Sequence, residues 1–383
     1  EADLAIVKTT FGTADIALAV QHIFKLADQR NQPCVTNLSL GGHVGGHDGT
    51  TVVERVIDEL SGPGRIVVAS AGNENQSSIH AATVLRPILG GGPARWSADF
   101  QITPRTINSQ NLGALYLQVW HQHEDELKVT LRTPNGELIT PGAEQELQID
   151  RGSFHVVADH RQAHYSGDNV TSFWIVTLPQ TNILTGWSII VGEIPAVSGG
   201  IKVGPVHAWI GERGMGQFTS EVSRSHLVGI PGTADSVITV ASYATRKSWV
   251  SQDPDHQDVD LGGVNLEDIS YFSSQGPTRD GQNKPEIAAP GQWLISTLSS
   301  GAAQSEIPLW QRSKDLPYTA MQGTSMSAPY VTGALALLLQ KNRNINWAEA
   351  KRRLIKSARN DAFTGPCWNR RWGYGKLDVE KLL

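Results

Sequence analysis

Two cysteines in 383 residues, Cys34 and Cys367, are too few for a disulfide framework or a four-ligand zinc site. Neither lies near a motif that would activate a thiolate, so both are read as unreactive thiols. There is no basic excess: the formal net charge of -5 excludes nucleic acid and membrane surfaces as expected partners. Long apolar runs are missing too. The densest, Ala334 to Leu339, falls far short of the roughly 20 residues that a membrane span needs. The chain opens on Glu1-Ala2-Asp3-Leu4, without Met and without a charged-then-apolar leader. That start reads as a processing or cloning boundary and leaves the compartment open.

What is present has the length for one large core plus an addition, since single cores seldom grow past about 250 to 300 residues. Leu4 to Val7 reads as a buried strand. Ile16, Val20, Ile23, Phe24 and Ala27 recur at helical spacing behind a Thr13 cap, and Cys34 to Leu40 reads as a second strand. A helix over about Thr51 to Leu60 ends at Ser61-Gly62-Pro63-Gly64, and Arg65 to Ser70 gives a third strand. Strands separated by helices imply a parallel sheet covered on both faces.

Between about Gly90 and Arg224 the texture changes to short alternating runs (Ala114 to Val119, Leu127 to Leu131, Phe173 to Leu178, Trp187 to Val191) broken by turn residues. This predicts an antiparallel β-rich insertion. The α/β texture returns with a strand at Val237 to Ala241, an apolar helix at Pro329 to Leu339 and an amphipathic one at Trp347 to Ala358. The expected partition is therefore 1–90 and 225–383 for one α/β domain, with 91–224 inserted.

The segment richest in chemistry is Gly323-Thr324-Ser325-Met326-Ser327-Ala328-Pro329. A glycine permits a sharp turn, and the serine behind it opens a long apolar helix whose unpaired N–H groups favour negative charge. An isolated serine at such a place is more often a helix cap. Here three further stretches accompany it, in a fixed order: Val35-Thr36-Asn37-Leu38-Ser39-Leu40-Gly41-Gly42, Val67-Val68-Ala69-Ser70-Ala71-Gly72-Asn73-Glu74, and Phe272-Ser273-Ser274-Gln275-Gly276-Pro277 with Lys284-Pro285-Glu286-Ile287-Ala288-Ala289-Pro290-Gly291.

Together these resemble the subtilisin-like serine proteases, the subtilase or peptidase S8 family, over about residues 1–90 and 225–383. The resemblance implies a three-layer α/β fold around a parallel sheet. It implies proteolysis through an acyl-enzyme on Ser325, with the Asn73 amide and the Ser325 N–H holding the oxyanion. An amide suits that task because it donates strongly without a proton that could be lost. In isolation Asn73 would pass as a turn residue. Ser39, Leu40 and Gly41 would bind an extended peptide as an added strand, while Ser70, Ala71 and Gly72 would line the first specificity pocket, with Glu74 at its rim. No cofactor is implied; peptide or protein is the implied substrate, and secretion or export follows from the family alone.

The departure from the pattern is informative. In that family the catalytic Asp and His precede the segment resembling Glu1 to Lys8, in Asp-Ser/Thr-Gly and His-Gly-Thr-His contexts, and neither context occurs here. The reading is a fold truncated at its N-terminus and inactive or nearly so alone, with the missing segment or a prodomain as a partner. The alternative is a non-catalytic pseudoprotease that binds peptides or partners. A β insertion after the Asn73 segment is similar to the jelly-roll insertion of clostridial spore-germination subtilases, a subset with active and inactive members.

Weaker constellations stay bland. His121-Gln122-His123-Glu124-Asp125 reads as a solvated turn. Asp253, Asp255, Asp258 and Asp260 could ligate calcium, yet the spacing is not an EF-hand loop, and a solvated acidic loop is preferred. Arg352, Arg353, Lys356, Arg370 and Arg371 read as a solvated face. Tyr116, Trp120 and Trp174 only faintly suggest an aromatic platform for sugar.

Overall fold

The structure is a computed structural model describing residues 2–86, 94–107, 110–125, 127–178, 184–193, 204–302, 307–314 and 317–383. Four strands, β1 (Cys34–Leu38), β2 (Arg65–Ser70), β3 (Ile238–Ala244) and β4 (Ile287–Gln292), form a parallel sheet in the order β1-β2-β3-β4. Side chains alternate across a strand, so β2 sends Ile66 and Val68 to one face and Val67 and Ala69 to the other, all fully buried.

On the first face, Ile66, Val68, Ile238, Val240 and Ile287 pack against Ala328, Val331, Leu335 and Leu338 of α3 (Thr324–Lys341) and Leu354 of α4 (Trp347–Ser357). On the second, Val67, Ala69 and Leu38 meet Ile16, Val20 and Phe24 of α1 (Thr13–Gln29) and Val53 and Ile57 of α2 (Val52–Leu60). Each fully buried side chain of this size contributes roughly 1.5–3 kcal/mol, which is why two helical layers hold the sheet. Gly12, not Thr13, stands at the N-cap of α1. Among the described residues no helix is long and apolar enough to cross a membrane.

The strand expected at Leu4 to Val7 does not form. Residues 2–12 have no regular structure, with Leu4 89% and Ile6 91% exposed, because an apolar run becomes a strand only with a ladder partner. Four aspartates expected in one loop divide between a turn and a short strand. Asp253 accepts from the N–H of Asp255, while Asp258 and Asp260 lie on Asp258–Asp260, exposed.

The described residues fall into two compact units, one comprising Glu1–Gly41, Val52–Asn75 and Leu227–Leu383, the other Gly42–Thr51 and Gln76–His226. The boundary expected at 90/91 lies outside the described residues. His80–Leu85, ahead of it, already pairs antiparallel with Gly204–Ile210 in the second unit.

That unit holds two antiparallel sheets. One runs through His80–Leu85, Gly204–Ile210, Gln110–His121, Asn169–Thr177, Phe154–Arg161 and Glu146–Asp150, with Pro104–Ile107 paired to Gln110–His121; the other runs through Gly216–Phe218, Arg95–Ile102, Trp187–Glu193, Leu127–Arg132 and Leu138–Ile139. The sheets meet where the Phe154 and Trp187 rings approach to 5.3 Å. Around Trp209 lies a buried stack of imidazoles: His47 and His80 flank the indole at 4.4 and 4.6 Å, His43 stacks on His47, and His80 Nε2 lies 3.0 Å from His207 Nδ1.

Two expectations for this unit are corrected. In the stretch from His121 to Asp125, His121 and Asp125 are buried rather than solvated, at 0% and 2% exposure. Trp120 is a core residue beside Val170 and Trp209, so only Tyr116 and Trp174, 5.8 Å apart, remain of the suggested aromatic platform.

Candidate functional site

The N-terminus of α3 is where the quoted segments converge. Gly323 turns the chain into the helix with φ +151°, a conformation that favours glycine, and its N–H donates to the Gly291 carbonyl just inside the end of β4 at 2.8 Å. A Cβ on Gly291 would lie 1.9 Å from Ser327 Oγ, so glycine there is what lets the first turn of α3 close on the sheet. Ser325 is the second residue of that turn and half-buried. Its hydroxyl donates to the Ser39 carbonyl at 3.4 Å, a long hydrogen bond, while the Ser39 hydroxyl donates to the Ser325 carbonyl at 2.8 Å.

Asn73 follows the end of β2. Its Oδ1 accepts from the Thr324 N–H at 2.9 Å and from the Thr324 hydroxyl at 3.1 Å. Two donors on the oxygen settle the amide orientation and leave the Nδ2 protons for another acceptor. The Thr324 hydroxyl in turn accepts from the Gly72 N–H at 3.1 Å. The Asn73 N–H donates to Glu74 Oε2 at 2.6 Å, and that oxygen also receives the Ser274 hydroxyl at 3.0 Å. Glu74 thus helps fix the Asn73 backbone from one side while Thr324 fixes its side chain from the other.

Ser70 and Ala71 are buried and Gly72 is half-buried with φ +110°. The Ala71 N–H donates to the Val240 carbonyl, and the Ala71 carbonyl accepts from Gly229, both at 3.0 Å, which carries the strand line of β2 onward between two neighbours. Ser39 and Gly41 are exposed beyond the end of β1, with Leu40 half-buried between them against the α1–α2 core. All eight residues singled out from the sequence, Ser325, Asn73, Ser39, Leu40, Gly41, Ser70, Ala71 and Gly72, belong to the same unit.

Sequence reasoning missed the supporting partners. Thr324 and Ser274 stood inside the quoted motifs but were given no role. Asn37, also inside a quoted motif, and Thr332 bond to each other at 3.1 Å, a contact between a strand and a helix that neither segment signals by itself. Among the described residues no group of three or more His, Cys, Asp or Glu side chains is placed to hold a metal ion. Cys34 is half-buried, and burial pushes its thiol pKa up, which disfavours the thiolate.

Known proteins resemble this chain in part of its sequence and in fold. Residues 211–375 match the family model described as the subtilase family, Peptidase S8. An uncharacterized protein of Aquifex aeolicus is 36% identical over 133 residues, 33% of this chain and 55% of that protein. Serine protease AprX of Bacillus subtilis is 34% identical over 129 residues, 33% of this chain and 26% of AprX. The matches thus span about half or less of these relatives. Among solved structures, the CspB protease of Clostridium perfringens superposes with a TM-score of 0.72 over 97% of this chain and 70% of that one, at 22% identity, a likeness of fold. With the serine, asparagine and glycine segments assembled on one parallel sheet, the chain carries a subtilase-family domain, Peptidase S8, matched over residues 211–375.

Proposed function

We propose that the chain carries the nucleophile and oxyanion half of a serine endopeptidase. Ser325 attacks the scissile carbonyl to form an acyl-enzyme. The Ser325 N–H and the Asn73 Nδ2 hold the oxyanion, and an extended peptide substrate lies along Ser39, Leu40 and Gly41 with its first side chain between Ser70, Ala71 and Gly72. The observation that carries this proposal is the orientation of Asn73: both hydrogen bonds from Thr324 fall on Oδ1, so the donor end of the amide is prearranged.

The Ser325 hydroxyl donates to a carbonyl rather than to an imidazole. A serine without a base is a weak nucleophile, and loss of the base costs on the order of 10⁶ in turnover. The proposal therefore includes a His and an Asp contributed from outside these 383 residues, with this chain inactive or nearly so by itself. The same observation supports the rival reading, a pseudoprotease whose groove receives a peptide or prodomain without turnover.

A fluorophosphonate probe separates the two. It is applied to this chain, to the full-length gene product and to its Ser325→Ala variant. Labelling of the full-length protein alone is the expected result. No labelling of either form would favour the pseudoprotease.

A further inference from the structure

The roles proposed for Ser39 use only its backbone, yet its side chain closes a hydrogen-bond relay between α3 and β1. The Thr332 hydroxyl donates to Asn37 Oδ1 at 3.1 Å, sharing its proton with the Ala328 carbonyl at 3.0 Å. Asn37 Nδ2 donates to Ser39 Oγ at 3.0 Å, and Ser39 Oγ donates to the Ser325 carbonyl at 2.8 Å. The chemistry of each group fixes the direction. An amide oxygen only accepts and an amide nitrogen only donates, so the Ser39 oxygen is taken as an acceptor and its single proton is left for Ser325.

The far end of the relay meets a gap in the helix. In an α-helix the carbonyl of residue i receives the N–H of residue i+4. Four residues after Ser325 stands Pro329, inside α3, and proline has no N–H to give. The helix thus lacks the i+4 donor for the carbonyl of the residue that carries the hydroxyl, and the Ser39 side chain donates to that carbonyl.

We infer that Ser39, aimed by Asn37 and Thr332, is a positioning residue that fixes the Ser325 peptide against β1 through the carbonyl that Pro329 leaves free. The inference rests on the proposed role of Ser325 as nucleophile. Ser39 and Asn37 are exposed, where a single hydrogen bond adds little to stability because water can replace it. Fixing a reacting group matters far more for rate, since a misplacement of about 1 Å can cost on the order of 100-fold. The clamp should therefore appear in kcat and not in the melting temperature.

The test uses the full-length protein with Ser39→Ala, Ser39→Thr, Pro329→Ala and the Ser39→Ala/Pro329→Ala pair. Readouts are kcat and KM on a peptide substrate, the melting temperature, and hydrogen exchange at the amides of Met326 to Ala328. Ser39→Ala is expected to lower kcat about tenfold with KM and melting temperature nearly unchanged, and to speed exchange in that turn. Ser39→Thr is expected to recover most of kcat. Once Pro329→Ala supplies an N–H for the Ser325 carbonyl, removing the Ser39 hydroxyl is expected to cost only about twofold.

An unchanged kcat in Ser39→Ala, or a loss just as large in the Pro329→Ala background, overturns the inference. So does a loss that comes with a large fall in melting temperature. If Pro329→Ala does not fold, the Ser39→Ala and Ser39→Thr pair decides. Absence of both turnover and probe labelling in the unsubstituted protein refutes the nucleophile role itself; unchanged hydrogen exchange in Ser39→Ala refutes the clamp whatever the activity.

Discussion

Thr324 grips Asn73 twice, its N–H reaching Oδ1 at 2.9 Å and its hydroxyl reaching the same oxygen at 3.1 Å. If the free end of that amide is an oxyanion donor, Asn73→Leu should lower kcat by about 100- to 1000-fold with little change in KM. Thr324→Val removes one of two orienting bonds and should cost about five- to tenfold. Steady-state kinetics of the full-length protein check both, and equal losses in the two variants would contradict the orienting role.

A second expectation concerns Glu286, buried at 2% exposure. It accepts from Lys284 at 2.9 Å and Lys351 at 2.7 Å through Oε1, and from the Thr239 N–H at 2.7 Å through Oε2. Burial raises its pKa, but the two lysines outweigh burial and hold it below the ordinary carboxylate value. Burial likewise brings Lys284 down to about 8. Glu286→Gln leaves two lysines without their counter-charge and should destabilise by about 3–5 kcal/mol, read from the urea midpoint. A depressed carboxylate pKa contributes stability present above the unfolded value, near 4.5, and lost as pH falls through the folded one, so the variant should also be less sensitive to acid.

The buried imidazoles act in a window at higher pH. Burial, reinforced by His207, His226 and His47, holds the His80 pKa well below 6.5, and burial lowers that of His121 to about 4. In the unfolded chain both take up protons near pH 6.5 while the folded protein refuses them. Their contribution to stability should therefore be constant above about pH 7 and fall below 6.5, by about 1.4 kcal/mol per pH unit per such histidine. Thermal melts from pH 7.5 to 5 measure this; a flat profile would contradict it.

How much of this was open to reading from residues alone depends on whether the signal was local. Arg65–Ser70 has the strand limits expected, because an apolar run between a Gly-Pro-Gly break and a glycine is bounded at both ends. Leu4 to Val7 is also apolar but has no ladder partner, and stays irregular. The eight site residues could be named because each sits in a contiguous stretch that resembles a subtilase motif. The Thr332–Asn37–Ser39 relay could not, since it depends on how α3 lies along β1 and on a hydrogen bond that Pro329 fails to make.

Gly72 offers a further test. At φ +110° a Cβ would stand 2.4 Å from Glu74 Oε2 and 2.8 Å from Ser274 Oγ, the two groups that hold the Asn73 backbone. Gly72→Ala is expected to cost about 1–3 kcal/mol of stability and to lower kcat as well. Calorimetry and kinetics would show both losses; a stable, fully active variant would mean that this network is not needed.

The interleaving of the two units has a consequence for synthesis. The chain crosses between them after Gly41, Thr51, Asn75 and His226, so β1 and β2 are made early while β3, β4 and α3 emerge long after. At about 5–20 residues per second, the roughly 250 residues from Ser70 to Thr324 take on the order of 10–50 s to translate. For that time Ile66 and Val68 have no partner layer on the α3 side, while every described strand of the antiparallel unit is already out by His226. The nascent chain thus passes through a stage in which one unit can close and the parallel sheet is half-built, the stage at which a chaperone has most to protect.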